Sequence, residues 1–462
     1  MAEPTQGRLA RGLGTADCTL LVIGNMIGTG IFLTTGSVAQ ALPSPALILA
    51  AWLIGGVFAL AGALTYAEMG AAFPRAGGHY AYIREAYGPL CGFLDGWVSF
   101  VAAFPCSIAF MAMGLATYLS YFFPFFSASH ILARLPVAGT EIAIHGGHIP
   151  ALAAVIALTA LNSRGLRLGK NAQNALTVLK ILSLAGLVLL GLFSANGEWG
   201  RLAAIDIPVP ESLLPALAGA LIGVSFAYLG WDAATYMAAE IREPQRVLPS
   251  ALVVGAAVVV VLYLLFNVAL LRMLPLEDIS GSANVAQAAA TAILGHAGAT
   301  IISAAIVVCI LGAMNATIMT GPRVGYAMAR DGLFFRGLCR IHPRFQVPAA
   351  AIIVQGAWTC AIILTGTFES ILTAAVFAMV TLSTATAAAI FVLRIKRWDT
   401  PRPYHTWAYP LVPIVYCLGS LGILVNVLVQ SPSRSLWSLG LLALGIPVYA
   451  FWSRRSPPDD LA

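Results

Sequence analysis

Ile23-Gly-Asn-Met-Ile-Gly-Thr-Gly-Ile-Phe32 lies in the middle of the first long apolar run of the chain, and it carries Gly24, Gly28 and Gly30. A helix crossing a bilayer has no water to satisfy free N–H and C=O groups. Broken backbone at that depth is therefore tolerated only where it lines a cavity or is buried in protein. A second interruption falls near Gly230 and Trp231, in the sixth apolar run. Two breaks at corresponding positions of two halves point to the binding site of a transporter.

The rest of the chain supplies the membrane. Of 462 residues, 59% are hydrophobic and only 10% charged, and mean hydropathy is +0.87, which excludes a soluble globular protein. About twelve runs approach the length of a membrane-crossing helix. They cover 16–40, 46–71, 90–122, 149–161, 172–192, 214–239, 251–271, 299–326, 349–364, 371–393, 411–429 and 436–452. The fourth is short, and the charges decide its status. With it, and with both termini cytoplasmic, Arg164, Arg167 and Lys170 join the inside segments, while the outside loops hold only Arg134, Arg201, Arg272 and Arg434. The net charge of +6 is thus a topology signal that needs no nucleic-acid partner. The N-terminal arm lacks a small-residue cleavage site, so the first helix is expected to stay.

No span carries a nucleophile with a base, no HExxH occurs, and no filter motif or charge-lined pore marks a channel. Seven cysteines show no CxxC spacing, and His145 and His148 read as a solvated loop. Neither metal nor cofactor is expected. The expected fold is an all-α polytopic membrane protein forming one transmembrane domain. Pairing the broken spans one and six gives a five-plus-five inverted repeat, about 14–196 and 211–397, with helices eleven and twelve at 409–453 as an appendage.

A half-helix starting after Gly28 exposes N–H groups around Thr29, Gly30 and Ile31 at the positive end of its dipole, which suits a carboxylate. Half-helices ending before the first break and near Phe226 present carbonyls, which suit an ammonium. An α-amino acid carries both groups on adjacent atoms. The alternative, close packing through small residues, is disfavoured by Asn25 among the glycines and by the second break.

Lys180 lies about two turns inside the fifth span, where an ammonium must be paired or neutralised. It either snorkels to water, stays as a fixed cation tied to the first break, or titrates once per cycle. Asp232 follows the second break and is read as the one acid near mid-membrane besides Glu68 and Glu240; it is either an N-cap or a gating, cation-sensing group. Tyr236 packs or bonds at a gate. Arg323, Tyr326 and the stretch 240–246 are read as headgroup anchors in preference to inner-gate contacts.

The IGTGIF segment, Tyr66-Ala-Glu-Met-Gly70, Phe73-Pro-Arg-Ala-Gly-Gly-His-Tyr80, Phe226-Ala-Tyr-Leu-Gly-Trp-Asp232, Glu240-Ile-Arg-Glu-Pro-Gln-Arg-Val-Leu-Pro249, the run Asn315 to Gly332 and Arg402-Pro-Tyr404 resemble the signature of amino acid permeases of the amino acid-polyamine-organocation superfamily, in its L-amino-acid transporter-like branch. The resemblance covers nearly the whole chain. It implies a LeuT-like fold with alternating access, no enzymatic activity, and secondary transport of L-amino acids across a plasma (inner) membrane. The substrate carboxylate would rest on Thr29 and Gly30, with Gly28 shaping the turn and Met26 and Ile27 completing the stretch. Carbonyls at Met26, Phe226 and Leu229 would hold the amino group, and Phe226 would act as an outer gate. Ala227 would leave room for a side chain and so hints at neutral substrates. A cationic amino acid or polyamine remains the alternative. The Thr-Val-Leu-Lys180 pattern resembles relatives in which a lysine replaces sodium, which implies sodium-independent exchange or proton symport. Animal members carry a cysteine between spans three and four that links a glycoprotein. The loop from Ser127 to His148 has none, so no disulfide-linked partner is expected.

Overall fold

The computed structural model describes residues 9–455 apart from 43, 138–139, 196, 204–212, 281, 283–284, 367 and 431; Arg8 and the expected start of the second repeat at 211 lie outside the described residues. The chain is an all-α polytopic membrane protein. Among the described residues, nine helices are long and apolar enough to cross a membrane, and four shorter apolar helices accompany them.

The first span is broken, with α1 (Thr15–Met26) ending and α2 (Gly30–Ala41) beginning around Ile27-Gly28-Thr29. Next come α3 (Pro45–Ala72), capped by Ser44 with proline in its first turn, and the short α4 (His79–Tyr87). The third span is α5 (Pro89–Val98) and α6 (Phe104–Ser120), joined by a π-turn at Ser99–Ala103 just before Pro105, whose missing N–H interrupts the ladder.

An antiparallel hairpin, β1 (Ile131–Val137) and β2 (Thr140–His145), occupies the loop between the third and fourth spans, and α7 (His148–Ser163) and α8 (Leu166–Phe193) follow. The sixth span is α9 (Leu213–Ala227), an irregular turn, and α10 (Ala233–Tyr236). The second half-helix was expected to continue to 239, but α10 is one turn long. The N–H of Gly77 takes the carbonyl of Tyr236 at 3.2 Å, and the chain continues as a 3-10 turn at Ala238–Glu240.

The long α11 (Pro244–Met273), the short α12 (Leu276–Ser280) and α13 (Val285–Leu294), and then α14 (His296–Thr320), end at Gly321. Pro322 starts α15 (Pro322–Arg330), and the chain closes with α16 (Ala349–Thr365), α17 (Phe368–Lys396), α18 (Leu411–Gln430) and α19 (Pro432–Ser453). Leu182, Leu189, Ile301, Val425 and Leu444 are exposed and apolar, which makes them the lipid-facing surface of a bundle whose interior is also apolar.

Basic groups gather at one end of the bundle. Lys396 Nζ donates to the Ala86 carbonyl at 2.9 Å, Arg397 meets Glu85 at 3.1 Å, and Arg394 grips the buried Glu68 with two bonds of 2.8 and 2.7 Å. Arg272, assigned to an outside loop from sequence, is instead buried at the end of α11, where it donates to the carbonyls of Gly191 and Ser194.

Candidate functional site: two helix breaks and a buried lysine

At the first break, the Gly28 N–H turns back to the Met26 carbonyl at 2.9 Å. Among the described residues, none of the N–H groups of Thr29, Gly30 and Ile31 donates to another backbone group. These are the orphan donors of a helix start, and Gly28 and Thr29 are part-exposed beside them. The Ile27 carbonyl and the Gly24 carbonyl accept from Lys180 Nζ at 2.8 and 2.7 Å. Lys180 is fully buried, so the snorkelling alternative does not describe it. The Met26 carbonyl accepts the Tyr263 hydroxyl at 2.9 Å as well as the Gly28 N–H.

The second break is organised by Gly230, whose φ of 103° excludes a side chain at little cost only for glycine. An added Cβ there would lie 2.6 Å from the Asn25 amide nitrogen. That amide donates to the Gly230 carbonyl at 3.3 Å, and its oxygen accepts from Thr317 of α14, also at 3.3 Å. Asn25 therefore joins the two breaks to α14. Phe226 and Leu229 are exposed, and the Leu229 N–H donates to the Phe226 carbonyl at 3.2 Å. Ala227 is buried, and its Cα would lie 2.8 Å from a Cβ added at Gly30. The space beside Ala227 is thus filled by the first break. Overpacking of this kind costs about 1–3 kcal/mol, so Gly30→Ala is expected to slow transport about fivefold or more. Initial uptake rates check this, and an unchanged rate would remove Gly30 from the site.

The arginine-rich end is closed by charge pairs. Arg323 and Glu240 form a two-pronged pair of 2.8 and 3.1 Å, both side chains almost without exposure. They are thus an internal contact between α15 and the end of the sixth span, and the headgroup-anchor expectation is corrected for these two residues, while Glu243 and Arg246 stay exposed. The Glu240 carbonyl accepts from Gly12 and Leu13, and Leu13 bridges Ile241 in parallel fashion. Lys170 holds Asp17 at 2.9 Å, and Tyr80 and Arg84 hold Asp331 at 2.8 and 3.1 Å.

Asp232 occupies the N-cap position of α10, yet its side chain makes no capping bond. Its Oδ2 lies 2.8 Å from His79 Nε2. Asp95 in α5 is a further buried acid besides Glu68 and Glu240. Its place inside the third apolar run was the signal to find it. The rings of His145 and His148 meet edge to face with centres 4.2 Å apart; among the described residues no three metal-ligating side chains gather. A groove of ≈ 370 Å³ between α8, α13 and α14 is lined almost wholly by apolar side chains such as Leu182 and Ile301, away from the breaks.

Orphan N–H groups at one break, a second break tied to it through Asn25 and a buried lysine against the first are features of the membrane-carrier class. The chain belongs to the amino acid permease family, whose model matches residues 13–452. It is 31% identical over 450 residues to the serine/threonine exchanger SteT of Bacillus subtilis (strain 168), covering 97% of this chain and 98% of that relative. It is 28% identical over 458 residues to the large neutral amino acids transporter small subunit 2 of Homo sapiens, covering 97% and 82%. It is 27% identical over 426 residues to the b(0,+)-type amino acid transporter 1 of Mus musculus, covering 92% and 84%. The protein is a secondary transporter of amino acids in a lipid bilayer, and not an enzyme.

Proposed function

We propose that the chain is a sodium-independent exchanger of small neutral L-amino acids, working by alternating access at the two breaks of a twelve-span, five-plus-five inverted repeat. The halves are about 14–196 and 211–397, with 409–453 appended, and the arginine-rich end with both termini faces the cytoplasm of a plasma (inner) membrane. The observation that carries the reading is the pair of carbonyl bonds from Lys180. They tie the lysine side chain to the carbonyls that end α1, where a bound cation would otherwise be needed.

The substrate carboxylate would sit on the free N–H groups of Thr29 and Gly30, next to Gly28. The amino group would approach the carbonyls of the sixth-span break at Phe226 and Leu229, with the exposed Phe226 ring closing over it. The relative SteT is named for serine and threonine exchange, which supports small substrates. A cationic or polyamine substrate is less well supported, because Asp232 already faces His79.

Reconstituted liposomes test this. Uptake of labelled L-serine or L-alanine should require internal amino acid and ignore both sodium and an inward proton gradient imposed from outside at constant internal pH. Uptake into empty vesicles driven by protons would replace exchange with symport.

A further inference from the structure

His79 begins α4, in the connection between the spans Pro45–Ala72 and Pro89–Ser120, and the exchange cycle proposed above does not use it. Its imidazole is enclosed from three helices. From α3 the Tyr66 ring meets it edge-on with centres 5.1 Å apart, and from the sixth span the Tyr236 ring stacks on it at 5.5 Å. Asp232 of the sixth span lies 2.8 Å from Nε2, at ion-pair distance but without the angle of a hydrogen bond. From α5, Asp95 is within electrostatic reach of both; it is 2% exposed, and its Oδ2 has no hydrogen-bond partner.

The other charged groups nearby are committed elsewhere. On α4, Arg84 turns to Asp331 and Glu85 to Arg75 and Arg397. On α15, Arg323 is paired with Glu240. The α17 face that touches Tyr66 offers the Ser383 carbonyl, while its Arg394 goes to Glu68. Tyr82, also on α4, lies by Thr235 and Asp232.

One imidazole thus lies against a part-exposed carboxylate and within electrostatic reach of a buried one, with no uncommitted cation beside them among the described residues. A carboxylate buried without a partner is costly, and a proton is the smallest ligand that relieves it. The His79 side chain retains 13% exposure, enough for water to reach it.

We propose that His79, Asp232 and Asp95 form a proton-binding site that latches the arginine-rich gate. The proton is held on His79 while the gate is closed and released when the sixth-span turn moves away. The turn around Gly77 and Gly78 makes the latch mechanical. Gly77 donates to the Tyr236 carbonyl, and a Cβ at Gly78 would lie 2.7 Å from the Tyr236 ring. Asp232 cannot leave His79 without unwrapping α10 from this turn.

Burial pushes the His79 imidazole down, but Asp232, aided by Asp95, outweighs it and holds the group above its ordinary value. With the gate open and Asp232 withdrawn, the value falls back toward about 6.5. The latch is therefore at full strength below that ordinary value and is lost as pH rises through the raised one. Each unit between the two is a tenfold change in the closed-to-open ratio, about 1.4 kcal/mol.

The proposal rests on alternating access but not on any substrate, and its test needs none. Hydrogen exchange at the amide of Gly77, whose bond to the Tyr236 carbonyl crosses the latch, is followed in lipid discs of the full chain. Rates between about pH 6 and about pH 8.5 are divided by the intrinsic amide rate. Protection in the wild type should fall as pH rises, and His79→Gln should flatten that dependence. Asp95→Asn, which removes one carboxylate and leaves the imidazole, should move it to lower pH. Protection independent of pH in the wild type, or an unaltered profile in both variants, overturns the latch. The liposome assay reports separately on exchange.

Discussion

Lys180→Met is expected to lower the exchange rate by about two orders of magnitude in a chain that still folds. Methionine matches the length of the lysine stem and keeps its packing, so the change is confined to the ammonium. That group gives charge-assisted bonds of 2.7 and 2.8 Å to the carbonyls of Gly24 and Ile27, on either side of the turn that ends α1. Each such bond contributes about 1.5–3 kcal/mol, and the carbonyls it leaves are buried. Losing both raises the cost of holding the break in its binding geometry by about 3 kcal/mol or more, which is about a hundredfold in rate.

Arginine is not expected to rescue. Gly312 of α14 is open only because it lacks a side chain, and a Cβ there would already lie 2.5 Å from the lysine Cε. A planar guanidinium does not fit where that backbone closes in. Counterflow rates, with thermal midpoints to confirm folding, make the measurement. Lys180→Met retaining half the wild-type rate would mean that the lysine does not hold the site.

The second large effect belongs to Arg323 and Glu240. Removing one partner from a pair this buried strands a charge, at about 3–5 kcal/mol. Arg323→Met and Glu240→Leu should each lower the thermal midpoint sharply. The double replacement should recover much of the loss, because an apolar pair has no charge to desolvate. Recovered stability should not bring back normal transport, since the pair ties α15 to the end of the sixth span. The double-mutant cycle supplies the coupling energy. Additive losses would mean that the two residues act independently, against the geometry.

The membrane class and the two breaks were legible because they are written locally: glycines inside apolar runs disobey the rule that a spanning helix satisfies its own backbone. Lys180 was legible by depth alone, although only the fold shows which carbonyls it reaches. The length of α10 was not legible, since it depends on a hydrogen bond from Gly77, far away in sequence. The pairing of Arg323 with Glu240 spans 83 residues, and a charge near a span end looks the same whether it meets a headgroup or a partner. Asp95 was overlooked because a lone acid in a long apolar run leaves the hydropathy of the run almost unchanged. The hairpin at 131–145 was missed for a different reason, as its apolar alternation is interrupted by Pro136.

The strand-like bridge between Leu13 and Ile241 has a practical side. It splices the arm preceding α1 onto the chain leaving the sixth span, so the two half-helices share one short ribbon of backbone. On the alternating-access proposal, cargo attached to the arm would ride with these half-helices, whereas cargo attached beyond α19 would not. A bulky reporter on the N-terminal arm should therefore act as a brake on turnover, and the same reporter at the C-terminal end should be carried as ballast.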